Sequence, residues 1–154
     1  METGEGRILI VDDEESLQRT LRRIVERIGR ECITALNAEE ARTIMKKEEA
    51  FDLVLCDILL PGESGIGLVS HIIDNYPETA VIMVSGIEDP EVAKKALKMG
   101  AYGYMIKPFK PSEVIINISS ALRRQRLEAE KRTYMGKLEQ MVESRTTKLQ
   151  ETLE

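Results

Sequence analysis

The sequence has no tryptophan, one histidine (His71) and two cysteines (Cys32 and Cys56) in 154 residues. A single imidazole argues against a multi-histidine metal site and against a His-dependent catalytic triad within one chain. Both cysteines fall in apolar stretches that read as strands, which suits buried free thiols in a reducing compartment. Aromatic residues make up only 4%, too few for a stacking platform for single-stranded nucleic acid. No apolar run approaches the roughly 18 residues that span a bilayer. The N-terminal stretch Met1–Gly6 has neither a basic n-region nor an apolar h-region, so no secretory signal is expected and the location reads as cytoplasmic. The net charge of −5 argues against a protein that binds nucleic acid by neutralising phosphates.

What remains is the composition of a folded domain, with 42% hydrophobic and 32% charged residues. Short apolar runs alternate with amphipathic stretches. Arg7–Val11 reads as a buried strand ending in Asp12-Asp13. A helix from Glu14 to Ile28 follows, with Leu17, Leu21, Ile24, Val25 and Ile28 on one face and Gly29 as its stop. Cys32–Ala35 reads as a second strand. Asn37 caps a helix to about Lys47 with Ala38, Ala41, Ile44 and Met45 inward. Phe51–Cys56 is a third strand, ending at Asp57. The next helix carries Leu68, Val69, Ile72 and Ile73. Ala80–Val84 is a fourth strand, running into Ser85-Gly86. Glu91–Met99 is a helix with Val92, Ala96 and Leu97 inward. Tyr102–Ile106 is a fifth strand, and Ser112 is expected to cap the last helix. Continuous apolar strands separated by amphipathic helices imply a doubly wound α/β domain with helices on both faces of a parallel sheet.

In such folds ligands bind beyond the carboxyl ends of the strands. The polar residues there are Asp12 and Asp13, Asp57, Ser85 and Lys107. Gathered carboxylates repel one another unless a cation is present, and oxygen ligands suit Mg²⁺. Lys107 is a mobile point charge fit for a phosphoryl oxygen. Ser85 offers a hydroxyl donor, and Gly86 allows close approach of its backbone N–H to a ligand.

Residues from about Arg7 to Leu122 resemble the receiver domains of two-component response regulators. The motifs are Ile10-Val11-Asp12-Asp13-Glu14, Asp57 followed by Pro61 and Gly65, Val84-Ser85-Gly86, Gly100-Ala101 and Tyr104-Met105-Ile106-Lys107-Pro108-Phe109. The resemblance implies a flavodoxin-like five-stranded sheet of order 2-1-3-4-5. It implies that Asp57 accepts a phosphoryl group from the phosphohistidine of a cognate histidine kinase. It implies Mg²⁺, replaceable by Mn²⁺, held by Asp13, Asp57 and the backbone carbonyl of Leu59, with Asp12 acting mainly through water. Lys107, Ser85 and Gly86 would meet the phosphoryl group, and Ser85 and Tyr104 would form the switch. Leu59, apolar at the site's mouth, would shield the phosphoryl group from water. Aspartyl phosphatases of the haloacid dehalogenase type need a second Asp two residues after the nucleophile, where this chain has Leu59. An assembly-only relative would have lost Asp57, Lys107 or one of the acidic pair, and all are present.

Residues 1–122 therefore read as the receiver and 123–154 as an extended helix. The first part holds 14 basic and 21 acidic residues, the second 8 and 6. An apolar stripe runs along the second part. Leu127, Tyr134 and Met141 are seven apart, whereas Leu127, Leu138 and Leu149, and Val142 with Leu153, are eleven apart. So polar a helix is marginal alone. A parallel homodimer is expected, with the tail a coiled-coil linker to an output domain outside this chain. Arg123-Arg124-Gln125-Arg126 reads as a solvated helix face rather than a nucleic-acid patch.

Overall fold

The computed structural model describes residues 6–48, 50–86 and 89–153. The readings placed on Met1–Glu5, on Glu154 and on the side chain of Leu153 lie outside the described residues. Five strands alternate with five helices: β1 (Arg7–Val11), α1 (Glu15–Arg27), β2 (Glu31–Ala35), α2 (Ala38–Lys47), β3 (Leu53–Asp57), α3 (Gly65–Asn75), β4 (Ala80–Ser85), α4 (Pro90–Met99), β5 (Gly103–Ile106) and α5 (Pro111–Leu153). The strands form one parallel sheet in the order β2-β1-β3-β4-β5, the expected doubly wound topology.

The two-residue period of the strands divides the core between the two faces of the sheet. Leu9, Val11, Val54, Cys56, Val81 and Met83 pack with residues of α2, α3 and α4. Ile8, Ile10, Leu53, Leu55, Ile82 and Val84 pack with residues of α1 and α5. Strands buried on both sides must be apolar at every position, and for that reason they are visible as continuous runs in the sequence.

Two expectations are corrected. Helix α5 begins at Pro111, with the carbonyl of Lys110 accepting from the N–H groups of Glu113 and Val114. Ser112 thus lies inside the first turn rather than capping it, because proline's fixed φ suits the first helical position. In α4, Ala96 takes the inward position while Leu97 is 50% exposed. Successive helix residues are about 100° apart, so a narrow buried face seats one of the two. Gly100 closes α4 with φ of 117°, a left-handed cap that glycine adopts without penalty.

Gly65 is required by space. A Cβ there would lie 1.9 Å from the backbone oxygen of Asp57 and 2.7 Å from Cα of Ile58. The start of α3 is thereby pressed against the end of β3, and the N–H of Gly65 donates to the carbonyl of Ile58 at 2.9 Å. Gly65→Ala should cost at least about 1–3 kcal/mol in urea unfolding, since the obstacle is backbone. Gly136→Ala, in open space within α5, should be neutral or stabilising by up to about 1 kcal/mol. Equal effects of the two substitutions would contradict this packing.

Candidate functional site

The carboxyl ends of β1, β3 and β5 bring Asp12, Asp13, Asp57 and Lys107 to one place. One oxygen from each of Asp12, Asp13 and Asp57 lies within 4.8 Å of the others. Asp12 and Asp57 are only 2% and 5% exposed, whereas Asp13 is open to solvent. Lys107 Nζ stands between the two buried acids, 3.1 Å from Asp12 Oδ2 and 3.0 Å from Asp57 Oδ2. Burial raises the pKa of Asp12, opposed by hydrogen bonds from the Glu14 N–H and from Lys107. Burial also disfavours the Lys107 ammonium, but hydrogen bonds to Asp57 and Asp12 outweigh it and hold its pKa above the ordinary lysine value. The cation is thus fixed in its charged form between the two acids.

Each acid is held by its own backbone turn. Asp12 Oδ1 accepts from the N–H of Glu14 at 2.9 Å, which opens α1. The N–H of Leu59 donates to Asp57 Oδ1 at 3.1 Å. Leu59 itself is 63% exposed at the mouth of the site. Arg42 Nε donates to Glu63 Oε2 at 3.1 Å, and a second guanidinium N–H reaches the other oxygen, tying the loop after β3 to α2. Ser85 is fully buried, and its carbonyl accepts from the N–H of Lys107 at 2.7 Å. The pairing of Met83 with Tyr104 and of Ser85 with Ile106 puts Ser85 and Tyr104 on the same face of the sheet. Gly86 is exposed, with open space where a Cβ would stand.

The donor set fits a hard divalent cation. It is all carboxylate oxygen, one member is solvent-facing, and a single lysine leaves the three acids with excess negative charge. Full burial of Cys56, beside Asp57, holds its thiol far above the usual range. Cys32 is likewise buried and free, its thiol pushed up to about 11.

Sequence reasoning missed Gln18. Its amide Nε2 donates to the carbonyls of Asp12 at 2.7 Å and Ala35 at 2.8 Å, joining the ends of β1 and β2 beneath the site. The available signal was a polar residue beside the apolar face of the first helix. Gln18→Ala leaves those buried carbonyls without this donor, so a loss of about 1–3 kcal/mol is expected in urea unfolding. Stability equal to wild type would show that the link is dispensable.

The comparisons with known proteins agree with this geometry. The response regulator receiver domain family matches residues 8–119. A probable transcriptional regulator, ycf27, of Cyanophora paradoxa is 36% identical over 124 residues, covering 80% of this chain and 51% of the relative. The transcriptional regulatory protein ResD of Bacillus subtilis is also 36% identical over 124 residues, covering 80% of this chain and 50% of ResD. The chain thus spans about half the length of these curated relatives. The crystal structure of a CheY-like receiver domain protein from Methanospirillum hungatei superposes with a TM-score of 0.75 at 33% identity, covering 80% of this chain and 98% of that one. With its sheet order, its acidic site and these matches, the chain belongs to the response regulator receiver domain family.

Proposed function

We propose that this chain accepts a phosphoryl group on Asp57 from the phosphohistidine of a histidine kinase and passes the change to its surface and its tail. The observation that carries the proposal is the Lys107 ammonium held between buried Asp12 and Asp57, with Asp13 beside them. An oxygen of Asp57 attacks phosphorus, the O–P bond forms, and the N–P bond breaks with its electron pair leaving on the imidazole. Lys107 is positioned to exchange its contact with Asp57 for one with a phosphoryl oxygen, and Ser85 to donate its hydroxyl to another. Asp13, Asp57 and the Leu59 carbonyl would hold Mg²⁺, or Mn²⁺ in its place, with Asp12 acting through water. When bound, the cation supplies charge neutralisation for the phosphoryl oxygens. The protein's contribution is otherwise positioning, so the chain is a signalling acceptor rather than an enzyme with a turnover substrate.

Drawing the Ser85 loop toward a phosphoryl group opens room for Tyr104, on the same face of the sheet, to turn inward. The surface of α4, β5 and α5 then changes shape. This face carries Leu97, Ile106 and Ile116, all exposed. The tail pairs with a second copy through its apolar stripe and links 1–122 to an output domain. That linkage follows from the likeness to longer transcriptional regulators. No nucleic acid or membrane is expected to bind these residues directly; among the described residues no helix is long and apolar enough to cross a membrane. The setting proposed is the cytoplasm.

Incubation with a small phosphodonor such as acetyl phosphate, with Mg²⁺, should add one phosphoryl mass to the intact chain. Asp57→Asn should abolish the addition and chelation of the metal should suppress it. Lys107→Ala should still be labelled while losing the shift of Tyr104 resonances that accompanies labelling in wild type. Undiminished labelling of Asp57→Asn would refute the assignment.

A further inference from the structure

Helix α5 runs for 43 residues, Pro111–Leu153, a rod about 65 Å long. Its inner face does not end with the core. Ile118 is fully buried; Gln125 and Arg132 follow at spacings of seven, which return to nearly the same side of a helix. Both reach the turn after α3. Gln125 Nε2 donates to the carbonyl of Glu78 at 3.0 Å, and Arg132 donates to the carbonyl of Pro77 at 2.7 Å. The Arg124 guanidinium lies 4.1 Å from the centre of the Tyr102 ring. Helix α3 carries no basic residue in its last turn, so its partly negative carboxyl end lacks a cation of its own, and Arg132 supplies one. An open groove of about 940 Å³ runs between the tail and the base of the sheet, with Arg30, Asp52 and Tyr134 among its walls. The tail is therefore pinned at points rather than packed flat.

Leu127 stands two residues beyond Gln125, about 200° round the helix. Leu127, Leu138 and Leu149 consequently face away from the receiver, and all three are exposed. The tail from Arg123 interleaves 8 basic with 6 acidic residues. A second copy laid along the stripe therefore meets charges of both signs, where a tail of one sign would repel its like.

We propose that the turn Tyr76–Glu78 is the docking site that fixes the tail in rotation: Arg132 and Gln125, held there in cis, turn the leucine stripe outward to meet a second copy of this chain in parallel. The proposal rests on the tail-pairing reading above and adds the residues that set its phase. The receiver's motion is thereby delivered to the tail through a second joint, below the sheet and away from the phosphoryl site.

Two measurements on the full chain test it. Leu138→Cys should give a disulfide-linked dimer on mild oxidation, while Gly136→Cys, on the side of the helix that carries Gln125 and Arg132, should not; Cys32 and Cys56 are buried and do not compete. Cross-linking of Gly136→Cys in preference to Leu138→Cys would overturn the phase. Amide exchange in the Leu138→Glu chain, whose stripe is interrupted but whose docked face is intact, isolates the cis contact. There the amides of 125–132 should exchange at least tenfold faster once Gln125→Ala and Arg132→Ala are added, with β1 unchanged. No acceleration would overturn the docking site. If exchange responds but neither cysteine cross-links, tail pairing fails while the docking site stands.

Discussion

Two carboxylates, Asp12 and Asp57, are buried side by side at the carboxyl edge of the sheet, and one ammonium reaches both. Burying like charges is expensive unless they are paired and hydrogen-bonded. The arrangement persists because Asp12 and Asp57 each accept a backbone N–H, from Glu14 and Leu59, and because Lys107 sits on the adjoining loop after β5. The trio still carries an excess of negative charge, increased by exposed Asp13. That imbalance is what a hard divalent cation beside the three acids would offset.

The scaffold serves this site through close packing. Gly65 admits α3 against the backbone of Asp57. Gln18 ties the ends of β1 and β2, and Arg42 holds Glu63 in the loop that follows β3. Ser85 and Tyr104 share one face of the sheet, next to the strand that delivers Lys107. The end of β4 is thus hydrogen-bonded to β5 at Ser85 and Ile106. Helix α5 continues as the tail, so one element belongs to both the core and the extension.

Most of the fold was legible because its strands are buried on both faces and its helices on one. Those two periods survive in the sequence without any knowledge of contacts. The acidic residues and Lys107 could be placed together because a doubly wound sheet collects its strand ends at one edge. What was not legible depends on neighbours. Ser112 resembles a cap, but Pro111 before it already fits the helix. Leu97 fits a helical stripe, but Ala96 fills the narrow buried position. Gln18 reads as an ordinary helix residue until the ends of two strands are brought above it. The contacts of Gln125 and Arg132 join residues 47 and 55 positions apart, and no local pattern announces such pairs.

The central claim is that the acidic trio is a cation site completed for phosphoryl transfer. Calorimetric titration of the full chain with Mg²⁺ tests it most directly. The account predicts saturable binding at one site, abolished by Asp13→Asn and by Asp57→Asn, while Asp89→Asn, at the cap of α4, binds as wild type does. Binding that is absent from wild type, or that survives unchanged in both site variants, would contradict it.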